Sequence, residues 1–213
     1  MPITNHKGLF ITFEGVEGAG KTTNIDYIAE KIKSSGQPII LTREPGGTTL
    51  GEEIRALLIS KDLPEMHPDT ELLLMFAARA EHLQKVILPA LNEGKWVLCD
   101  RFTDASYAYQ GAGRGIDTKK VALLEDMVQG TLRPDITLLF DLDAEIGLAR
   151  AQSRGETDRF EQQHIDFFNR VRAQYLSMAK SDPERYFIIN AQYELNVVQQ
   201  QIDELLLTLT LAP

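Results

Sequence analysis

The sequence is poor in the features that mark a secreted or membrane-embedded chain. It holds one cysteine, Cys99, in 213 residues, so no intrachain disulfide can form and nothing points to secretion. Cys99 lies in an apolar run and reads as a buried core residue rather than a reactive thiol. The first residues, MPITNHKG, lack the apolar stretch of a signal peptide. No run approaches the ~20 apolar residues of a membrane span. A cytoplasmic address is therefore the expectation, with no membrane partner. Positive charge is also scarce, with 22 Lys and Arg against 31 Asp and Glu for a net −9. That balance argues against a nucleic acid polymer as partner. A small anion is not excluded, since a pocket needs only a few aimed donors. Internal repeats and low-complexity linkers are absent, and the length suits one domain over 1–213.

What is present is an alternation of short apolar runs with helical periodicity. Leu9 to Phe13, Ile39 to Thr42, Trp96 to Cys99, Ile136 to Leu142 and Phe187 to Ile189 read as five strands. Residues 21–34, 49–60, 69–92, 118–130, 144–154 and 161–181 read as helices, with Gly36 and Gly94 as stop signals. In the last helix Val198, Ile202, Leu205, Leu206 and Leu209 form one apolar stripe. Short apolar strands separated by helices predict an α/β fold, a parallel sheet covered on both faces. Ligands of such sheets sit at the carboxyl ends of the strands. Those ends are Glu14, Arg43, Asp100 and Asp141 onward.

The first strand runs into Gly15-Val16-Glu17-Gly18-Ala19-Gly20-Lys21-Thr22, followed by Thr23. This is a complete G-x-x-x-x-G-K-T phosphate loop in its strand-to-helix context. Its glycines let backbone N–H groups turn toward phosphate oxygens, and the helix adds its positive N-terminal end. Lys21 is placed to reach β- and γ-phosphates, and the Thr22 hydroxyl to ligate Mg²⁺. The loop alone names no reaction, because switches, motors and kinases share it. The N-K-x-D motif of guanine readers is missing, and a motor needs a longer chain.

The other strand ends carry further polar groups. Arg43-Glu44-Pro45-Gly46-Gly47 suits anion capture, and equally suits a surface turn. Asp100-Arg101 offers a metal ligand and a phosphate holder, or a structural ion pair. Ser106, Tyr109 and Gln110 offer hydroxyls and an amide for a sugar and base. Phe76 and Arg79, three apart on one helix face, suit a pyrimidine, or are a core ring and a solvated arginine. Arg150, Arg154 and Arg159 cluster about Gly155 and read as a mobile lid at about 150–161, or as a helix end laced with ion pairs.

Taken together, ITFEGVEGAGKTT, LTREPGGT, FAARAEHL, DRFTDASYAYQG, RPDITLLFDLD and RAQSRGETDRFE stand in the order and spacing of thymidylate kinases. The chain resembles that family from about residue 8 to 205. The resemblance implies a phosphate-loop NTPase fold with a five-stranded parallel sheet, a homodimer, and transfer of the γ-phosphoryl group of ATP to dTMP with Mg²⁺. It implies that Arg43 and Arg101 hold the acceptor phosphate, and that Pro45, Phe76 and Ser106 also belong to the dTMP site. Arg79 would hydrogen-bond the thymine, and Tyr109 and Gln110 would lie by the deoxyribose. Glu17 would sit near the 3′-hydroxyl and, with Thr22 and Asp100, near the metal. Arg150, Asn190 and Ala191 would form the adenine side.

Three positions depart from the family pattern. The stacking phenylalanine usually lies four residues before the arginine, where this chain has Met75, with Phe76 three before. Ala105 replaces a serine, and Asn190 an aspartate. Some members carry an arginine within the phosphate loop. Here that position is Gly18, so the lid, through Arg154 and Arg159, would supply the missing charge beside Lys21 and Arg101. The rival readings are a kinase for another pyrimidine nucleotide or a deoxynucleoside, and a non-catalytic nucleotide switch.

Overall fold

Five short apolar runs pair into one parallel sheet. In the computed structural model, residues 8–153, 159–161 and 163–210 are described. The strands are β1 (Phe10–Glu14), β2 (Ile39–Arg43), β3 (Trp96–Asp100), β4 (Ile136–Asp141) and β5 (Tyr186–Asn190). Their order is β2-β3-β1-β4-β5. The register sets Arg43 beside Asp100, Phe13 beside Asp100, and Asp141 beside Asn190, so the carboxyl ends share one edge. The connections diverge to either side of β1, which opens a crevice beyond its last residue, Glu14.

Alternation along the strands feeds a core on each face. Ile11, Phe13 and Leu98 join the larger cluster with Ile25 and Ile28 of α1 (Lys21–Ser34). Phe10, Val97 and Cys99 face the other way, onto Leu83, Ile87 and Leu91. Burial of each such side chain contributes about 1.5–3 kcal/mol. Burial also pushes the Cys99 thiol well above its usual value, which fits an inert core residue. Val198, Ile202 and Leu205 of the last helix are buried as the stripe predicts, while the Leu209 side chain lies outside the described part.

The remaining helices are α2 (Thr49–Ile59), α3 (Pro68–His82), α4 (Leu88–Asn92), α5 (Thr103–Ala105), α6 (Thr118–Gln129), α7 (Ala144–Gln152), α8 (Ile165–Ser181) and α9 (Leu195–Thr210). Two corrections to the sequence reading matter. The single helix expected over 69–92 is α3, a π-helical turn Leu83–Ile87, then α4. The cause is Pro89. It has no N–H to give, and its ring would press on the carbonyl one turn back in a regular helix. The wider turn, closed by Leu88 N–H to the Leu83 carbonyl, absorbs the misfit. The stretch Ser106–Gly113 is also π-helical, where no helix was expected, because Gly111 and Gly113 mask its propensity. The helix expected from 161 begins at Ile165, with the His164 side chain accepting from the Asp166 N–H. Residue 154, the expected end of α7, lies outside the described residues.

The phosphate loop and α7 meet backbone to backbone. Gly18 has φ 72, and a Cβ there would lie 2.1 Å from the Gly147 carbonyl oxygen. A Cβ on Gly147 would lie 2.5 Å from the Glu17 carbonyl oxygen. Gly18 therefore has no room for the arginine that other sequences carry there. Gly36 has φ 86 but open space around it. Gly36→Ala should cost only the left-handed backbone term of about 1–2 kcal/mol. Gly18→Ala should cost that and more, read as a larger fall in urea midpoint. Equal destabilisation of the two variants would refute the close approach.

Candidate active site

The helix after the phosphate loop starts without a side-chain cap. Gly20, at φ 75, precedes Lys21, and no acidic residue occupies the first turn of α1. Its opening N–H groups are left to a ligand, and the helix dipole favours an anion there. Thr22 and Thr23 are exposed on that turn. Lys21 folds back over the loop, donating from Nζ to the Gly15 and Val16 carbonyls at 3.2 Å each. Burial, then the neighbouring Arg101 charge, push its ammonium down to about 8, against the pull of Asp100, Glu17 and Glu14.

Arg101 joins this loop to a second pocket. Its backbone sits at φ 64, a conformation side chains rarely adopt. Two bonds hold it there. Arg101 N–H donates to the Phe13 carbonyl at 2.9 Å, and Phe102 N–H donates to Glu14 Oε1 at 2.7 Å. Glu14 is fully buried and also accepts from the Tyr175 hydroxyl at 2.6 Å. Burial, then the Asp104 charge, push its carboxyl up to about 8. So fixed, the Arg101 side chain donates from Nη1 to the Gly15 carbonyl at 3.0 Å and from Nη2 to Glu17 Oε1 at 2.8 Å. It also lies over the Tyr109 ring, 4.6 Å from its centroid. Glu17 Oε2 accepts from the Tyr109 hydroxyl at 2.6 Å.

The second pocket opens directly beside this junction. Glu17, Pro45, Arg79, Arg101, Ser106, Tyr109 and Gln110 all line it, so the structure brings together seven residues that the sequence singled out from four separate segments. Spacing along the Ser106–Gly113 turn sets Ser106, Tyr109 and Gln110 on one side. Arg79 is almost wholly buried there, at 2% exposure. Its Nε donates to Glu44 Oε2 at 2.6 Å, and its Nη2 to the Phe102 carbonyl and Ser106 Oγ at 3.1 and 3.2 Å. Its Nη1 is buried without a partner. Asp100 Oδ1, at the end of β3, is likewise buried without one. The two orphaned atoms, one on the pocket-lining Arg79 of α3 and one at the end of β3, suit a ligand's complementary groups.

The family model for thymidylate kinase matches residues 13–202. A thymidylate kinase of Pseudomonas fluorescens is 58% identical over 202 residues, covering 95% of this chain and 96% of its own. One from Pseudomonas syringae pv. tomato is 58% identical over 199 residues, covering 93% and 95%. The chain belongs to the thymidylate kinase family. In structure it is similar to a crystal structure of thymidylate kinase from Ehrlichia chaffeensis, with a TM-score of 0.76, 36% identity, and coverage of 94% and 98%.

Met75, the residue four before Arg79, stands in the pocket wall, and Phe76 does not. Phe76 is 2% exposed and packs with Leu72, Ile116 and Val121, its ring 4.5 Å from the Arg79 guanidinium. It supports the arginine from behind. Adjacent helix residues point about 100° apart, so facing the arginine's side does not decide which one meets the cavity. Ala105 lines the pocket, and the hydroxyl next to it, on Ser106, is taken by Arg79. Arg43 is outside the wall and about half exposed, paired with Glu52 at 2.8 Å.

Of the lid arginines, Arg154 lies outside the described residues. Arg159, expected to meet the transferring phosphoryl group, is tied to residues behind the second pocket. It donates to the Leu58 carbonyl at 2.8 Å and to Glu71 Oε2 at 2.7 Å. The reason is local: Phe160 is drawn into the pocket wall against Tyr109, and Glu71 is a fully buried carboxylate that also takes Gln110 and Arg114. Arg150 reaches the turn after β5, donating to the Ala191 carbonyl at 2.9 Å, beside Asn190. Sequence reasoning missed Glu44, Arg55, Ile59 and Phe160 in the wall and Glu71 behind it. None of them carried a distinguishing signal, since the charged ones look like ordinary polar residues of a turn or a helix.

The depressed Lys21 value has a consequence for nucleotide binding. Phosphate favours the charged ammonium, so the bound pKa rises and protons are taken up above pH 8. ATP affinity should be flat below pH 8 and fall above it, by up to about tenfold per pH unit. Titration calorimetry should show this slope in the wild type and a flat, weaker profile in Lys21→Met. Parallel profiles in the two proteins would contradict the assignment.

Proposed function

We propose that the chain transfers the γ-phosphoryl group of ATP to dTMP, giving dTDP and ADP. The observation that carries this reading is Glu17. It belongs to the phosphate loop, lines the second pocket, and is bound there by Arg101 and Tyr109. Donor and acceptor sites thus share a wall, the arrangement that direct transfer requires and a nucleotide switch does not.

In this reading the bond from the γ-phosphorus to the β,γ-bridging oxygen breaks, and one forms to an oxygen of the acceptor phosphate. That phosphate is mostly a dianion at neutral pH, so no general base is assigned. Lys21 and the N-terminal amides of α1 meet the β- and γ-phosphates. Arg101 positions the acceptor phosphate, and Arg43 swings from Glu52 to join it. Arg79 Nη1 donates to a thymine carbonyl, Met75 covers the base, and Tyr109 and Gln110 close on the sugar. Arg154 brings charge to the transferring group, while Arg159 holds the acceptor side through Glu71. Arg150, Asn190 and Ala191 flank the adenine. Mg²⁺ fits with Thr22, Asp100 and Glu17, because the free Asp100 oxygen suits an ion held by one or two carboxylates plus phosphates. It would neutralise charge on the β- and γ-oxygens.

We also place the protein in the cytoplasm, as a homodimer. Among the described residues no helix is long and apolar enough to cross a membrane. Leu123 and Met127 of α6 and Leu73 of α3 are exposed at 70, 72 and 56%, on two helices that pack together, and supply an apolar face for a second copy.

An ADP-release assay over a nucleotide panel tests the reaction. dTMP should be turned over far faster than UMP, because a 2′-hydroxyl would meet the Tyr109 ring. Lys21→Ala should lower kcat by about 10²–10³ with the fold intact by circular dichroism. Equal use of UMP and dTMP would refute the thymidylate reading. Near-normal turnover in Lys21→Ala would refute the mechanism.

A further inference from the structure

Arg79 is held by a chain of buried polar groups that extends beyond the pocket. A guanidinium is planar, with its donors in a fixed fork. Fixing Nε on Glu44 and Nη2 on Phe102 and Ser106 therefore fixes the direction of the free Nη1. Glu44 is itself held. Its second oxygen, Oε1, lies 3.0 Å from His82 Nδ1, and His82 Nε2 lies 2.6 Å from Thr42 Oγ1. With Nδ1–H donating to Glu44, Nε2 can accept a hydrogen bond from the Thr42 hydroxyl, so that Arg79 Nη1 is the unpartnered donor at the end of the chain.

The surroundings leave this chain little freedom. His82 is fully buried and Glu44 is 5% exposed. Arg79 and His82 are three apart on α3, so both reach the same carboxylate. Gly47 closes over the ring, where a Cβ would lie 2.5 Å from His82 and 2.7 Å from Thr42 Oγ1. Neither Thr42 nor His82 touches the pocket, so packing against a ligand does not explain them.

We propose that Thr42, His82 and Glu44 are positioning residues that set base specificity: they hold the Arg79 fork so that Nη1 meets a carbonyl and rejects an amino group. The proposal rests on the reading of Arg79 as the base contact. The chemistry follows from donor and acceptor types. A 4-keto pyrimidine offers Nη1 an acceptor, whereas a 4-amino pyrimidine sets donor against donor and leaves both buried and unpaired. A fork free to rotate can turn Nη1 aside and relieve that conflict. Loosening the relay should therefore weaken dTMP use and relax discrimination together. A purely structural histidine would lower the use of all acceptors in proportion.

The test is kcat/KM for dTMP and for dCMP, with the KM for ATP, in the wild type, Arg79→Ala, Glu44→Gln, His82→Ala and His82→Asn. His82→Ala and Glu44→Gln should raise the KM for dTMP and narrow the dTMP-to-dCMP ratio by about tenfold, the scale of one charge-assisted hydrogen bond. The KM for ATP should stay within about twofold. His82→Asn, whose amide can replace the Nδ1 donor, should restore most of the ratio. Thr42→Val, which keeps the shape and removes only the last link, replaces His82→Ala if that variant does not fold, and should narrow the ratio as well. An unchanged ratio in the folded relay variants, with a collapsed ratio in Arg79→Ala, would overturn the relay alone. An unchanged ratio in Arg79→Ala would overturn the base contact and the relay with it.

Discussion

The site depends on one arginine held in an uncommon backbone conformation. Arg101 sits at φ 64 because its own N–H and that of Phe102 are tied to β1, at the Phe13 carbonyl and the Glu14 carboxyl. A regular turn at the end of β3 would aim the side chain elsewhere. In this one the guanidinium bridges the Gly15 carbonyl and the Glu17 carboxylate, so it belongs to the phosphate loop and to the acceptor wall at once. The sheet order makes this possible, since β1 and β3 are neighbours and their carboxyl ends coincide. Strain of this kind persists where the surrounding structure over-determines it, and here Glu14 does so from full burial.

Charge in the site follows from the same enclosure. Glu14 is pushed up to about 8 and Lys21 down to about 8, both first by burial. A region that disfavours isolated charges of either sign is arranged around paired ones: Arg101 with Glu17, Arg79 with Glu44, and Arg114 and Arg159 with Glu71. In such surroundings a phosphate that displaces one carboxylate from its arginine meets donors already aimed, with little reorganisation left for the reaction.

What the sequence made legible was whatever chemistry is written contiguously. The phosphate loop is eight adjacent residues at a strand end, so it needed no tertiary knowledge. The parallel sheet followed from the short apolar runs, and the five strands lie within a residue or two of their expected places. The acceptor pocket was partly legible because Arg101 and Tyr109 follow the end of β3 and Arg79 stands at helical spacing from Phe76. The rest depends on contacts across the fold. Glu44 and Glu71 look like ordinary polar residues of a turn or a helix until the fold buries them against arginines 35 to 88 residues away in sequence, and His82 does so until it meets Glu44. Met75 and Phe76 differ only in a rotation that periodicity does not resolve. The two π-helical stretches add a residue to a turn, and a search at 3.6 residues per turn has no term for that. Within the lid, Arg150 was expected beside Asn190 and Ala191 and bonds the Ala191 carbonyl, whereas the pairing of Arg159 with Glu71 is a contact across the fold that spacing does not show.

The central claim is that Arg101 couples the nucleotide loop to the acceptor pocket and acts on the transfer itself rather than on ATP capture. The most direct measurement is single-turnover phosphoryl transfer by rapid quench in Arg101→Lys, with ATP and dTMP both saturating, beside the equilibrium dissociation constant for ATP. Lysine keeps the charge but not the fork that spans Gly15 and Glu17. The account predicts a transfer rate lower by about 10²–10³ with ATP affinity within a few-fold of wild type. A transfer rate equal to wild type in that variant would contradict it.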